Sequence, residues 1–443
     1  MRRPTSPRKL SGWAMTPPRG GDFYGLRPSA PLPHVPTPDE ILRSPNGASG
    51  GARAQDGKAV GSAAPDVQTA SGPRRVMLWV VLPLLMAVAG FVLLQAVGAE
   101  VGSGGLAVGT IFALLPVVPV LAVLLWLDQN EPEPVPYLVF AVAWGATVAA
   151  VVALVLNSAG VEFLRQYGQK DVAIGAVFIA PWVEEAAKGA GVALLALRRR
   201  REFDGVVDGL VLAGLCGLGF AFVENVLYFG RAYTETVAEH GTFGGLGAVG
   251  AVFVLRGLGA PFAHPMFTAA IGLGFGVAAS TDRPRVRVAA PVIGYLCAVA
   301  LHTLWNLSAA GGLAGFLIVY GLVMVPLFAA YVGLMIWARR REGRVVAQWL
   351  PEYGMAGWFS LDEVARLASM HERRRALVAA GRYGGRVGRR ATRKFQHIAT
   401  ELAFLRNRAG RHSPGPDFAD RERDLLLALA ASRARLPVAP LTT

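Results

Sequence analysis

Long apolar runs, separated by short polar or glycine-rich breaks, fill the middle of this chain. A helix needs about 20 consecutive, mostly apolar residues to cross a bilayer. Runs of this length predict an all-α, polytopic membrane protein with about eight transmembrane helices. The predicted spans are residues 76–98, 104–127, 136–157, 172–197, 205–229, 260–281, 288–310 and 315–338.

One further apolar run, at 246–258, is too short for an ordinary span and contains Arg256. It suits a re-entrant or interfacial helix, or the first part of one long broken helix. Arg256 and Asp208 both fall near predicted interfaces. We therefore attribute them to snorkelling of a long side chain or to helix capping.

The two ends of the chain differ from the apolar middle. Residues 1–74 are rich in Pro, Gly, Ser, Ala and Arg without apolar periodicity, which predicts a disordered cytoplasmic tail. Residues 75–340 form the predicted membrane domain, and 341–443 a basic, helical cytoplasmic tail. Ser360 and Glu363 in this tail have the spacing of a capping box. We expect the tail to pack on the membrane domain or on anionic lipid, with binding of a partner as the alternative.

Composition and charge agree with a membrane protein. Of the 443 residues, 53% are hydrophobic and 17% charged, and the net charge is +14. The positive charge is concentrated after spans four, six and eight, as "RRRRE" at 198–202, "RPRVR" at 283–287 and "RRREGR" at 339–344. By the positive-inside rule, both termini are cytoplasmic. No recognisable nucleic-acid-binding module is present, so we expect no nucleic acid partner.

The only two cysteines, Cys216 and Cys297, lie inside predicted spans. This arrangement excludes a disulfide framework and a cysteine-rich metal site. We interpret both as small buried hydrophobic residues.

Ionisable residues within the spans are the candidates for chemistry, since each costs about 2.5–3.5 kcal/mol to insert. Span four contains three of them in the stretch "WVEEAAKG". The candidates are Glu184, Glu185 and Lys188 in span four, Glu224 with Asn225 in span five, His264 in span six, and His302 with Asn306 in span seven.

Four of these residues have a similar predicted depth in the bilayer. At a helical rise of about 1.5 Å per residue, Glu184 lies roughly 21 Å from its cytoplasmic boundary and Glu224 roughly 24–28 Å. His264 lies roughly 25 Å and His302 roughly 22 Å from theirs. In a hydrocarbon core of about 30 Å, this places all four near one plane in the outer half of the membrane.

Histidines and a carboxylate at one depth are the ligand set of a catalytic zinc ion. Lys188 follows Glu184 by four residues and Glu185 by three, so it can neutralise one of them while the other faces a cavity. Asn306 shares a helix face with His302 and can donate to an oxyanion. Other interpretations stay open: a histidine bonded to a neighbouring helix, a packing salt bridge, or a proton relay.

The motifs together resemble those of the PrsW-type intramembrane metalloproteases, within the wider CAAX prenyl protease superfamily. The resemblance covers about residues 76–338 and includes the acidic, proline-containing loop "DQNEPEP". In that wider superfamily a histidine stands where this chain has Glu224. The motifs occur in the expected order as Glu184-Glu185-Ala-Ala-Lys188, Phe220-Ala-Phe-Val-Glu224-Asn225, His264 before a glycine-rich helix, and His302-Thr-Leu-Trp-Asn306.

The resemblance implies a metal-dependent endopeptidase in a bacterial plasma membrane, with a divalent metal, Zn²⁺, as cofactor. It also implies a single-span membrane-protein substrate, such as an anti-sigma factor cut first in regulated intramembrane proteolysis. We assign water activation to the 184–185 pair, with Glu184 as the general base. The metal ligands are then His264, His302 and Glu224, with Asn306 at the oxyanion.

Two rival functions use the same residues differently. A proton-coupled transporter or channel would use the buried acids, but it predicts internally repeated halves, which the sequence lacks. A non-enzymatic membrane scaffold would signal through the basic cytoplasmic helices. The sequence leaves the oligomeric state open.

Overall fold

The fold is described from a computed structural model that defines residues 32–43, 80–167, 175–198, 203, 205–310, 312–411 and 415–437. Within these ranges the regular structure is helical. We number the helices α1 (Pro38–Leu42), α2 (Leu82–Leu127), α3 (Val135–Gln166), α4 (Ala180–Arg198), α5 (Val206–Phe253), α6 (Ala263–Ala279), α7 (Pro284–Ala310), α8 (Gly312–Met355), α9 (Leu361–Ala368), α10 (Met370–Arg411) and α11 (Phe418–Arg433).

Five continuous helical segments among the described residues are long and apolar enough to cross a membrane. They are α2, α3, α5 continued through α6, α7 without its last residue, and α8. This confirms a helical, multi-pass membrane protein, whereas the number of eight spans stays a prediction. Two of the segments contain a break, at Gly102 (φ 68°) in α2 and at Gly241 (φ 67°) in α5. Both angles are in the left-handed region, which glycine adopts without steric cost.

Four segments contain a π-helical turn, at Gly145–Ala149, Gly175–Ile179, Val254–Gly259 and Tyr320–Met324. The third of these continues directly from α5 and ends just before Pro261. The short apolar run at 246–258 therefore lies within the continuous segment Val206–Ala279 and leads into α6. This agrees with the predicted alternative, in which the run is the first part of one long broken helix.

Helix α5 lies at the centre of the membrane domain and packs closely on its neighbours through glycine. A Cβ atom built on Gly209 would lie 2.0 Å from the carbonyl oxygen of Gly272 in α6. One on Gly145 of α3 would lie 1.9 Å from the carbonyl oxygen of Cys216. Helix backbones in membranes approach this closely only where side chains are small. These contacts hold α3, α5 and α6 together around the polar residues.

The described end segments form a second hydrophobic core. Its buried residues include Leu350 and Tyr353 of α8, Leu402 of α10 and Leu426 of α11. Ser360 caps α9 with Glu363 in a complete capping box, as predicted. In this unit the described C-terminal residues form α9, α10 and α11.

Residues 32–43 belong to the same core, so the disorder predicted for 1–74 is wrong for this segment. Val35 and Ile41 are buried in the core. The indole Nε1 of Trp358 donates to the Pro36 carbonyl at 2.6 Å, and α1 has its own capping box. The prediction was wrong because this short segment contributes only two buried apolar residues, too few to give a hydrophobic periodicity in the sequence. Residues 1–31 and 44–74 lie outside the described residues.

The C-terminal helices contact the end of the membrane domain that is predicted to be cytoplasmic. The Arg408 guanidinium of α10 lies 4.0 Å from the Glu131 carboxylate, in the acidic loop after α2. The Arg374 guanidinium donates to Gln129 in the same loop. The tail was expected to pack on the membrane domain or on anionic lipid. These contacts are with the membrane domain.

Candidate metal and catalytic site

Glu185 and Lys188 form a buried ion pair on α4. Both side chains are fully buried, and the Lys188 ammonium donates to Glu185 Oε1 at 2.5 Å. The other oxygen, Glu185 Oε2, accepts from the Thr268 hydroxyl of α6 at 3.0 Å. Lys188 lies 3.9 Å from the nearer oxygen of Glu184. The lysine therefore neutralises Glu185 more directly than Glu184.

Glu184 is held at one oxygen only. Its Oε1 accepts from the Asn157 amide of α3 at 3.2 Å. Its Oε2 is buried and has no hydrogen-bond partner. A buried acceptor without a partner is energetically costly and indicates a missing donor or cation. Sequence reasoning overlooked Asn157, a polar residue within an apolar span.

His302 lies between the two glutamates. Its Nδ1 donates to Glu185 Oε1 at 3.0 Å, since a carboxylate only accepts. Its Nε2, which then carries the lone pair, lies 3.7 Å from Glu184 Oε2. A carboxylate that fixes the tautomer of a histidine is the usual support for a metal ligand. Glu185 therefore serves to orient His302.

His264 connects Lys188 to Glu224. Its Nε2 donates to Glu224 Oε2 at 2.6 Å, and its Nδ1 lies 3.2 Å from the Lys188 ammonium. The ring centroids of His264 and His302 are 5.0 Å apart. The polar residues of four predicted spans thus meet in one place, as their common depth predicted.

Arg256 also belongs to this network. Its Nη2 donates to Glu224 Oε2 at 2.6 Å, and its Nε donates to Asn225 Oδ1 at 3.1 Å. The prediction that Arg256 snorkels or caps is therefore wrong, because the pair with Glu224 neutralises it inside the protein. For Asp208 the capping interpretation is confirmed, since its carboxylate accepts from the Gly205 amide at 2.9 Å. The signal in the sequence that could have revealed the role of Arg256 was its position inside a short apolar run, where a charge needs a partner.

Among the described residues, Glu184, His264 and His302 form the group suited to a metal ion. Each offers one ligand atom, and these atoms all lie within 4.8 Å of one another. The donor set and the unpartnered Oε2 fit a divalent cation. Glu224, predicted as a ligand, is not in this group, and its carboxylate accepts from His264 and Arg256.

Asn306 lies one helical turn beyond His302 on α7. Its amide Nδ2 donates to the Ala176 carbonyl at 2.8 Å, in the π-helical turn before α4. In this arrangement it links α7 to the chain segment that leads to Glu184. Its predicted role at an oxyanion stays a prediction.

The fold and the site together define a class of protein: a multi-pass helical membrane protein with a buried cluster of carboxylates and histidines. Comparison with known families narrows this class: residues 133–331 match the family described as PrsW family intramembrane metalloprotease. The matched range contains all the site residues named above. The match confirms the resemblance seen in the motifs.

One curated relative is similar to part of the chain. It is the protease PrsW of Clostridioides difficile (strain 630), 28% identical over 118 residues. The aligned part is 26% of this chain and 49% of the relative, so the chain spans about half the length of that relative. No solved structure matches the chain.

Proposed function

We propose that this chain is an intramembrane metal-dependent endopeptidase that hydrolyses a peptide bond of a membrane protein with activated water. The observation that carries the proposal is the buried group of Glu184, His264 and His302 within the family-matched segment. Three buried ionisable side chains from separate helices are costly in a membrane, and catalysis explains why they meet.

Glu184 is proposed as the general base. A base must lie within hydrogen-bond reach of the water whose proton it takes. Glu184 Oε2 is a buried acceptor without a partner, so a water molecule that donates to it would complete its hydrogen bonding. Glu185 cannot easily take this role, since Lys188, His302 and Thr268 occupy its oxygens.

His264 and His302 would hold the metal together with a carboxylate. We retain Glu224 for this position on the motif resemblance, and its hydrogen bonds with His264 and Arg256 would have to give way to the metal. Glu184 is the other candidate for the carboxylate, because it lies in the group with the two histidines. A divalent ion, Zn²⁺ in our proposal, supplies Lewis acidity that polarises a carbonyl and lowers the pKa of water. Asn306 is proposed to steady the oxyanion.

The proposed substrate is a single-span membrane protein, such as an anti-sigma factor, in the plasma membrane of a bacterium. Its support is the position of the site among membrane-length helices. The proposed orientation, with both termini in the cytoplasm, rests on the arginine clusters after alternate predicted spans.

The decisive experiment uses the full-length protein in nanodiscs with a panel of single-span peptides labelled on both sides of the membrane. Wild-type cleavage should stop on addition of a chelator and return with Zn²⁺. Glu184→Gln should lower the cleavage rate about 10²–10⁴-fold, which is the usual contribution of a general base. As a matched control, Glu162→Gln on α3 removes an exposed carboxylate and should leave the rate unchanged. Full activity of Glu184→Gln would overturn the base assignment.

Metal content separates the two candidate carboxylate ligands. If Glu224 is the ligand, Glu224→Gln should lose bound metal while Glu184→Gln keeps it. The reverse result would transfer the ligand position to Glu184. Retention of metal by His264→Ala and His302→Ala together would contradict the proposed centre.

A further inference from the structure

A cavity of about 400 Å³ lies where the C-terminal helices meet the cytoplasmic end of the membrane domain. It is lined by the start of α5 at Gly205 and Val206, by α8 near Arg341, and by the end of α10 at Arg411. The cavity is separate from the metal and catalytic residues, none of which lines it. Its position is level with the arginine cluster that marks the predicted cytoplasmic membrane surface.

The cavity is strongly basic. Its lining contains three arginines, Arg341, Arg344 and Arg411, and one carboxylate, that of Glu342. Three guanidinium groups held around one space repel one another, and a bound anion would remove that repulsion.

Two further features favour an anion in this cavity. The Arg411 Nε atom is buried and has no hydrogen-bond partner. In addition, the N-terminus of α5, at Val206, opens onto the same space, and the first amide groups of a helix favour negative charge. An arginine donor without an acceptor and a helix N-terminus both suit a phosphate group.

One apolar residue of α8, Trp337, lies at the cavity beside the charged residues of the same helix. Trp337 lines the cavity and is 48% exposed on a membrane-length helix. The Arg341 guanidinium carbon lies 5.5 Å from the centre of the Trp337 ring. Tryptophan beside arginine is typical of the level where headgroups meet acyl chains. A ligand here can place an anionic group on the arginines and an apolar chain along Trp337.

We propose that this cavity binds the phosphate of an anionic phospholipid headgroup, which links the C-terminal helices to the membrane domain. Arg341, Arg344 and Arg411 hold the phosphate, and the acyl chains leave along the Trp337 face. A free phosphate offers the same group to the arginines but no chain for Trp337. The lipid is therefore the source that the whole cavity fits.

The test measures the thermal unfolding of the full-length protein in phosphatidylcholine nanodiscs. The additions are phosphatidylglycerol, further phosphatidylcholine, or inorganic phosphate. The variant is Arg341→Gln/Arg411→Gln, and the matched control is Arg390→Gln/Arg393→Gln, which removes two exposed arginines of α10. Native mass spectrometry measures how many phosphatidylglycerol molecules remain bound.

Of the three additions, we expect only phosphatidylglycerol to raise the unfolding temperature of the wild type and of the control variant. Its apparent affinity should fall about fivefold for each arginine removed from the cavity. Without phosphatidylglycerol, the cavity variant should be at least as stable as the wild type, because like-charge repulsion is relieved. A merely structural role for the arginines would instead lower stability in every lipid.

Two results would overturn the proposal. Equal protection by inorganic phosphate would show a site for a free anion and not for a lipid. Equal protection of wild type and cavity variant by phosphatidylglycerol would show that the lipid acts elsewhere on the membrane domain.

Discussion

At the scale of single residues, the two neighbouring carboxylates of α4 have opposite environments. Glu185 accepts from Lys188, His302 and Thr268, whereas Glu184 Oε2 has no hydrogen-bond partner. A buried charge is tolerated when it is paired and hydrogen-bonded. The pair with Lys188 thus stabilises Glu185 in the membrane, and one oxygen of Glu184 is left without a hydrogen-bond donor.

Lys188→Met should leave the Glu185 carboxylate buried without its cation. Breaking such a pair costs about 3–5 kcal/mol, so we expect a comparable loss in the free energy of unfolding. The measurement is detergent-titrated unfolding of the purified protein. In Lys188→Met/Glu185→Gln both charges are removed, and most of the loss should be recovered. A double variant no more stable than the single one would show that Lys188 acts through another partner.

At the scale of helices, the position of His264 depends on how closely α6 approaches α5. Gly209 and Gly272 bring the two backbones into contact, and Gly217 of α5 lies against the backbone of His264 itself. A side chain at the first contact would push α6 away from α5. Because His264 contacts residues of α4 and α5, the site should be sensitive to this spacing.

Gly209→Ala should therefore lower both stability and activity. Overpacking a close contact costs about 1–3 kcal/mol. Gly250→Ala, in the same helix, is the matched control, because a Cβ atom there would have no neighbour within 4 Å. We expect a lower unfolding temperature and slower peptide cleavage for Gly209→Ala alone. Equal effects of both substitutions would indicate a general response of α5 to alanine and not a packing contact.

The loop between α2 and α3 contains a buried carboxyl group, Asp128, that makes the stability of the protein depend on pH. Burial raises the pKa of Asp128 to about 7, although the Glu133 amide donates to its carboxylate and opposes this. The folded protein thus prefers the neutral acid. Protonated Asp128 therefore contributes to the free energy of unfolding. This contribution is fully present below the unfolded pKa of 3.8 and is lost as the pH rises through 7.

Asp128→Asn should remove this loss, because the amide stays neutral and can still accept from Glu133. Each pKa unit corresponds to about 1.4 kcal/mol, so the variant should gain up to about 4 kcal/mol relative to wild type as the pH rises from 4 to 8. Unfolding temperatures measured across this range test the sign. A variant that loses stability with rising pH as steeply as wild type would contradict it.

At the scale of the whole molecule, residues 32–43 and the described C-terminal helices share one core at the end of the membrane domain that is predicted to be cytoplasmic. Arg406 of α10 is buried and donates to Glu352 and Glu422 as well as to the Pro33 carbonyl. The N-terminal segment is thus tied to the C-terminal helices by both polar and apolar contacts. The contacts of α10 with Glu131 and Gln129 in the loop after α2 then connect this unit to the membrane helices.

Ile41→Asp should release the N-terminal segment from this core. Ile41 is buried, whereas the adjacent Leu42 is 54% exposed, so Leu42→Asp is a control with the same change of chemistry. Burying an unpaired carboxylate costs several kcal/mol or more, and detachment avoids this cost. Limited proteolysis should cleave residues 32–43 faster in Ile41→Asp than in Leu42→Asp. Equal rates would contradict the shared core.

The sequence by itself determined the helical membrane class and the identity of the polar residues, since apolar length and insertion cost act along one helix at a time. Tertiary structure decided which of these residues pair. Spacings of three and four both allow Lys188 to reach a glutamate, and only the packing of α6 and α7 around Glu185 selects it. Arg256 with Glu224, and Ile41 with the C-terminal core, are likewise contacts between distant parts of the chain. Hydrophobic periodicity contains no information about them, because it records which face of a helix is buried and not what it is buried against.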